Sequence, residues 1–183
     1  MKAFKLYVEL SDKKSQILTL LNQADVFAEL DDRSKRTEVL GVAERMGTDL
    51  NDPAVQVFIL NHYAIAFWNF GSTINALQTF LEELEVAGRA SREVKLVPLI
   101  SISEFLANSM GDYDGALRYL EEARKLAKDI NDQKSESNIL LTICEVYLSM
   151  GHFEDAVRIG RDTLTLIRTL KVDKLVSNCI SSQ

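Results

Sequence analysis

The chain has 183 residues, of which 46% are hydrophobic, enough for the core of one compact domain or one short array of repeats. Its formal net charge of −6 argues against a general nucleic-acid-binding protein, because such proteins need a positive surface that displaces counterions. The two cysteines, Cys144 and Cys179, lie far apart without a CxxC partner, and this spacing indicates neither a disulfide framework nor a zinc site.

The N-terminal segment and the most apolar window argue against export and membrane insertion. Lys5 and Glu9 interrupt the apolar residues near the N-terminus, so we expect no signal peptide. The most apolar window, residues 54–70, contains Asn61 and His62 and is shorter than the roughly 20 residues that a membrane-spanning helix needs. With the cysteines expected as reduced thiols, these features predict a soluble cytoplasmic protein with no membrane partner.

Apolar residues recur at helical spacing along the whole chain. Two sets follow the spacing i, i+3, i+4, i+7 most clearly: Leu60, Tyr63, Ala64 and Phe67, and Leu140, Ile143, Cys144 and Tyr147. No segment of useful length alternates between apolar and polar residues as a half-buried strand does. The sequence therefore predicts an all-α fold.

Two short motifs repeat at a fixed interval and divide these helices into pairs. The motif Gly-x-x-x-x-Ala occurs three times at one constant interval, in FGSTINAL (70–77), MGDYDGAL (110–117) and MGHFEDAV (150–157). A second motif consists of an apolar residue, a small polar residue and an aspartate. It occurs at 10–12, 50–52 and 130–132, so its copies are 40 and 80 residues apart, one and two times the spacing of the glycine motif. Glycine permits a tight turn with positive φ, alanine permits close helix approach, and aspartate suits a helix N-cap.

The predicted unit is a first helix, a turn with glycine, a second helix and a turn with aspartate. We place the units at 17–56, 57–96, 97–136 and 137–176. A single helix pair cannot bury its apolar faces alone, so the pairs are expected to stack.

Two units depart from the pattern. In the first unit Asp31 and Arg36 occupy the glycine and alanine positions, and we expect Arg36 to keep its charged head in solvent. The third unit has LANSMG where the fourth has YLSMG, which predicts one extra residue in the turn before Gly111. The terminal residues 1–16 and 171–183 align with parts of further units. We therefore expect a segment of a longer array or a chain with half-unit caps.

The spacing of Leu140, Cys144, Tyr147, Gly151 and Ala156 resembles the tetratricopeptide repeat, most clearly in AKDINDQKSESNILLTICEVYLSMGHFEDAV (127–157). The interval between the motifs is similar to that of the forty-residue, long-helix variety found in Pins-type polarity proteins and in sensor domains of bacterial regulators. The paired Trp and Pro of the family signature are absent, which leaves the sub-family open. The resemblance implies a right-handed superhelical solenoid of antiparallel helix pairs, whose first helices line a concave groove that binds a peptide or helix of a partner protein.

The first helices share a composition that restricts the ligand of such a groove. The windows 17–30, 57–70, 97–110 and 137–150 contain no Lys or Arg, although the chain has 21 of them. A surface shared by these helices is therefore not cationic. This disfavours the carboxylate clamp that binds acidic peptide tails, and it disfavours RNA-reading helical repeats.

The family's groove positions map onto polar, acidic and apolar residues of the first helices. They are Asp25, Asn61, Ile65, Trp68, Asn69, Ile100, Glu104, Asn108, Leu141 and Glu145, with Leu21 and Leu148 beside them. Asp25, Glu104 and Glu145 occupy equivalent positions and would form a broken acidic line. Asn and Trp side chains suit contacts with a peptide backbone and an apolar side chain.

The predicted partner therefore carries Arg or Lys together with an apolar anchor. Two interpretations of the groove residues stay open. Trp68 packs between repeats or contacts the ligand, and each acidic residue is a solvated surface group or a member of the line.

The sequence predicts no catalytic site, metal or cofactor. It contains no HExxH, Walker loop, GxGxxG or GxSxG motif. Cys144 lies on the apolar stripe of a first helix, where a thiol is buried and unactivated. We expect the acidic residues of the second helices, among them Glu82, Glu83 and Glu85, to be surface partners of basic residues.

Three functional hypotheses follow. The chain is an adaptor that binds a peptide, a sensor domain of a larger signalling or transcriptional regulator, or an architectural piece of a large assembly. The third hypothesis includes self-association through the repeat ends. It rests on the apolar residues near the C-terminus, which are Leu175, Val176 and Ile180.

Overall fold

The computed structural model describes residues 12–181 and the side chains up to residue 169. Within this range the chain forms eight α-helices and no β-strand, which confirms the all-α prediction. The helices are α1 Lys13–Glu29, α2 Arg33–Leu50, α3 Pro53–Asn69, α4 Thr73–Ala87, α5 Leu96–Phe105, α6 Tyr113–Asp129, α7 Gln133–Ser149 and α8 Phe153–Ser181. A short 3₁₀ helix, Arg92–Lys95, precedes α5, and a π-helical turn, Leu106–Met110, extends it.

The helices belong to two compact units. The first unit runs to Pro98 and the second begins at Leu99, in the first turn of α5. In the first unit α1 packs against α2 and α3 against α4, and in the second α7 packs against both α6 and α8. Short turns join consecutive helices, so the packed neighbours run antiparallel.

The turns between helices share one backbone geometry. Each of six turns contains a residue with φ between 46° and 76°, namely Asp31, Asn51, Gly71, Gly111, Asn131 and Gly151. After most of these residues the chain makes the paired hydrogen bonds of a Schellman motif; Gly71 N–H bonds to Trp68 O and Ser72 N–H to Phe67 O. The glycine turns and the aspartate turns predicted as two types are therefore one type, in which Asp or Asn also adopts the left-handed conformation.

The residue after the left-handed position usually caps the next helix. The predicted caps Asp12, Asp52 and Asp132 accept backbone N–H groups at the starts of α1, α3 and α7, which confirms their role. Asp32 and Asp112 do the same for α2 and α6. Each carboxylate compensates a donor that the first helical turn leaves unpaired.

The extra residue predicted near Gly111 lies inside the helix as a π-helical turn. Asp112 N–H bonds to Leu106 O, six residues earlier, whereas His152 N–H in the fourth unit bonds to Tyr147 O, five residues earlier. A π-helical turn absorbs one residue without ending a helix. As a result Leu99 and Ile102 keep the buried positions that Leu140 and Ile143 hold in α7.

Arg36 does not keep its charged head in solvent, so that prediction is wrong. Its side chain is 2% exposed, and its guanidinium carbon lies 5.9 Å from the centroid of the Phe70 ring. Burial lowers the pKa of Arg36, and the charge of Asp25 opposes this change. The aromatic face and a nearby carboxylate compensate part of the cost of placing a cation at the usual alanine position.

Glu83 is likewise buried, contrary to its predicted surface role, whereas Glu85 pairs with Arg89 on the surface at 2.5 Å. The amide nitrogen of Asn61 donates a hydrogen bond of 3.3 Å to Glu83 Oε2. Glu83 Oε1 has no hydrogen-bond partner among the described residues. Burial raises the pKa of Glu83 to about 8, and the Asn61 hydrogen bond opposes this rise.

The two ends of the chain were predicted to carry partial units. In the structure α8 continues to Ser181 through the segment where the sequence predicted the opening of another first helix. The side chains of Leu175, Val176 and Ile180 lie outside the described residues, as does the segment 1–11.

Gly151→Ala is expected to lower the free energy of unfolding by about 1–2 kcal/mol, because a Cβ disfavours its left-handed backbone. The φ of Gly151 is +76°, and a Cβ there meets no atom within 4 Å, so steric clash with neighbours adds nothing. Gly160→Ala, in the interior of α8, serves as the matched control. Its Cβ would lie at ordinary contact distance from Cys144 Sγ. We expect this variant to be more stable by roughly 0.5–1 kcal/mol in urea unfolding. Equal effects of the two substitutions would contradict the assigned turn geometry.

Glu83→Gln is expected to remove a pH dependence of stability. The folded state holds the Glu83 proton more tightly than the unfolded chain, so stability from this group falls as pH rises from about 4.5 to about 8. The stability lost over this pH range is a few kcal/mol, because each unit of pKa difference corresponds to about 1.4 kcal/mol. In urea unfolding the variant should be clearly more stable than wild type at the alkaline end and similar at the acid end.

Glu82→Gln, an exposed neighbour on α4, is the control for that experiment. It should keep the slope of the wild-type stability profile. If both variants show the wild-type slope, Glu83 is ionised or solvated in the folded protein.

Candidate functional site

The predicted groove residues fall into two sets, one in each compact unit. The first unit contains Asp25 on α1 with Asn61, Ile65, Trp68 and Asn69 on α3. The second contains Ile100 and Glu104 on α5, Asn108 in the π-helical turn, and Leu141 and Glu145 on α7.

In the first unit, Asn61 was predicted to line the groove, but the structure buries it. It is 6% exposed, and its amide donates to Glu83, so it belongs to the core. Its position on α3 turns the amide toward α4, where the buried carboxylate needs a donor. Ile65 and Trp68 are half-buried, and Asn69 is exposed.

Asp25 is exposed and lies beside His62. His62 Nε2 is 3.4 Å from Asp25 Oδ2, and His62 Nδ1 is 2.8 Å from Phe58 O. Because a carbonyl oxygen only accepts, this geometry gives Nδ1 the role of donor. Asp25 therefore has the His62 ring as a neighbour within its own unit.

In the second unit, Glu104 and Glu145 line one pocket of about 140 Å³ between α5 with its π-helical turn and α7. We call it the acidic pocket. Its other lining residues are Ala107, Asn108, Thr142, Val146 and Ser149. The lining contains two carboxylates and no Lys or Arg, so its charge is negative when both glutamates are ionised.

The electrostatics of the acidic pocket favour a cation. Burial raises the pKa of Glu104, and the like charge of Glu145 raises it further. A positive group that enters the pocket offsets both effects, because the cation stabilises the ionised form of each carboxyl.

Apolar side chains lie next to the acidic pocket along α7. Leu141 is 46% exposed and Leu148 is 50% exposed, one helical turn before and after Glu145. Ile100 is half-buried one turn before Glu104. The surface therefore combines a recessed negative charge with exposed apolar groups.

Four lining residues of the acidic pocket were not predicted. They are Ala107, Thr142, Val146 and Ser149. Three of them share the face of α7 that carries Glu145, because positions 142, 145, 146 and 149 follow the i, i+3, i+4 spacing of one helix face. That spacing is a signal available in the sequence.

Three further features of the described chain are the free thiol of Cys144, the distribution of metal-ligating residues and the hydropathy of the helices. The Cys144 thiol donates to Ala156 O at 3.3 Å, in a half-buried position against α8. Among the residues that the structure describes, no cluster of His, Cys, Asp and Glu has the arrangement of a metal site. Within the same range no helix combines the length and the hydropathy needed to cross a bilayer.

Comparison with known proteins identifies the fold through structure alone. No family model matches the chain, and no curated protein matches it in sequence. Among solved structures, the chain is similar to a signal transduction ATPase with numerous domains from Pyrococcus horikoshii, described as having a tetratricopeptide repeat sensor. The TM-score is 0.71 at 18% identity, over 91% of this chain and 26% of that protein, so the chain spans about a quarter of its length. The likeness confirms the predicted tetratricopeptide-like helical-repeat fold.

Proposed function

We propose that the chain is a non-catalytic protein-interaction module whose acidic pocket binds a Lys or Arg side chain of a partner peptide or helix. The observation that carries this proposal is the placement of Glu104 and Glu145 in one pocket whose lining contains no basic residue. Leu141 and Leu148 would contact an apolar side chain of the same partner.

The energetics support a charged anchor over a neutral one. Burial of Glu104 and, after it, the like charge of Glu145 disfavour the ionised form, and both raise the pKa of Glu104. A bound guanidinium or ammonium offsets that cost and makes charge-assisted hydrogen bonds worth about 1.5–3 kcal/mol each. Asn108 supplies an amide at the pocket edge that can pair with a peptide backbone.

A second candidate function is a sensor domain of a larger signalling protein. It is favoured by the likeness to a protein described as having a tetratricopeptide repeat sensor, of which this chain matches about a quarter. In this proposal the ligand of the acidic pocket controls an attached effector domain. A helix-turn-helix or catalytic domain in the surrounding open reading frame would favour the sensor over the adaptor.

Selection from a library of short random peptides on the immobilised protein is expected to enrich sequences with Arg or Lys and an apolar residue. In calorimetry, the double variant Glu104→Gln, Glu145→Gln should bind the selected peptide about ten- to a hundredfold more weakly, the loss expected from about one charge-assisted contact. Wild-type affinity should fall as salt concentration rises.

Glu154→Gln, an exposed carboxylate outside the acidic pocket, is the matched control and should bind like wild type. Selected peptides without basic residues, or equal affinity for the double variant, would show that the acidic pocket is not the binding surface.

The affinity for the selected peptide should also fall at low pH. Binding of a cation requires ionised Glu104, whose pKa in the free protein is raised above its usual value of 4.5. Affinity is therefore full above that raised pKa and declines as pH falls through it. In Glu145→Gln the like charge is gone, so the midpoint of the decline should move to lower pH. An unchanged midpoint would contradict the electrostatic coupling between the two glutamates.

A further inference from the structure

A cleft in the first unit, about 280 Å³ in volume, lies between α2, α3 and α4 and has no role in the proposed function. Its residues come from three helices: Glu44 from α2, Ile59, Leu60 and Tyr63 from α3, and Glu82 and Val86 from α4. We call it the α2–α4 cleft. The helix α3 forms its floor, and the other two helices form its walls.

Close packing of α2 on α3 defines one end of the α2–α4 cleft. Gly47 lies against Ile59, and a Cβ at Gly47 would overlap the Ile59 side chain. Gly47 is buried although it lies in a helix interior, where glycine is otherwise unfavourable. The contact brings the floor of the cleft against one wall.

A hydrogen bond joins a polar group on the floor of the α2–α4 cleft to one on its α2 wall. The Tyr63 hydroxyl donates a hydrogen bond of 2.9 Å to Glu44 Oε2 and so orients that carboxylate. Burial is the largest cause that raises the pKa of Tyr63 to about 12, and the hydrogen bond to Glu44 is the next. The hydroxyl therefore stays protonated at neutral pH. Arg45, the neighbour of Glu44 in sequence, opposes the rise but does not line the cleft.

The composition of the α2–α4 cleft matches one class of ligand. Its lining contains two carboxylates, Glu44 and Glu82, and no Lys or Arg. Its floor and one wall present Ile59, Leu60 and Val86, and Tyr63 adds an aromatic ring that can face a cation. The volume is close to the lower bound of about 300 Å³ for small-molecule sites.

We propose that the α2–α4 cleft binds a small organic cation, an ammonium group carried on an apolar body. The ammonium group would lie between Glu44 and Glu82, and the apolar body would contact the three aliphatic side chains. The concave shape of a cleft lined by three helices favours a small molecule over a protein surface. This inference concerns a site in the first unit and does not depend on the acidic pocket of the second.

The probe for the test is 4-phenylbutylamine, compared with its neutral analogue 4-phenylbutan-1-ol. By calorimetry the amine should bind with a Kd of about 1 mM or tighter, the range expected for a ligand of this size. The alcohol should bind at least about tenfold more weakly, because it lacks the charge that the two carboxylates attract. Methyl NMR signals of Ile59, Leu60 and Val86 should shift on addition of the amine.

Glu44→Gln and Glu82→Gln should each weaken amine binding about tenfold or more. Glu38→Gln, an exposed carboxylate on α2 outside the cleft, should leave it unchanged. In the double variant Glu104→Gln, Glu145→Gln the amine should still shift the methyl signals of Ile59, Leu60 and Val86 as in wild type, which separates this site from the acidic pocket.

Three results would overturn the inference. They are no amine binding at millimolar concentration, equal binding of amine and alcohol, and amine affinity that neither substitution in the cleft changes. Glu38, Glu44 and Glu82 are exposed, so their single variants are expected to fold. Circular dichroism checks this before each titration.

Discussion

The turn that joins one helix to the next is the constraint on which the rest of the structure depends. A residue with left-handed backbone ends one helix, and the following residue, usually aspartate, caps the next. These left-handed residues recur every 20 positions along the chain, except that one position between Gly71 and Gly111 is missing. They are Asp31, Asn51, Gly71, Gly111, Asn131 and Gly151. Because each turn reverses the chain within a few residues, neighbouring helices pack antiparallel and present matching faces to one another.

Departures from the repeat generate the individual features of each unit. Where the regular step is missing, the chain forms a 3₁₀ helix before α5, and a π-helical turn then restores the register at Gly111. That π-helical turn carries Asn108 into the lining of the acidic pocket. In the first unit, Arg36 and Glu83 place ionisable groups where the repeat usually buries small or apolar ones. Each costs free energy and is only partly compensated, by the Phe70 ring in one case and by the Asn61 amide in the other.

Both candidate sites follow from gaps that helix pairs leave when they pack. The acidic pocket lies between two first helices, and the α2–α4 cleft lies between two second helices above a first helix. In each case the lining combines carboxylates with apolar side chains and lacks basic residues. The absence of Lys and Arg from the first-helix windows was visible in the sequence and accounts for the charge of the acidic pocket. The second gap could not be predicted, because Glu44 and Glu82 lie on different helices with no shared motif.

The sequence by itself determined the all-α fold, the helix pairs and the aspartate caps at 12, 52 and 132, because periodicity and capping are local properties of the chain. It also singled out Glu104 and Glu145 through their equivalent positions in the repeat. Only the tertiary structure decided which charged groups are buried. Arg36 and Glu83 lie among charged residues of their own helices, and Asn61 lies in the most apolar window, yet the burial of all three depends on which neighbouring helix covers them. Burial of a side chain is a property of packing between helices, and for isolated polar residues the helical period does not encode it.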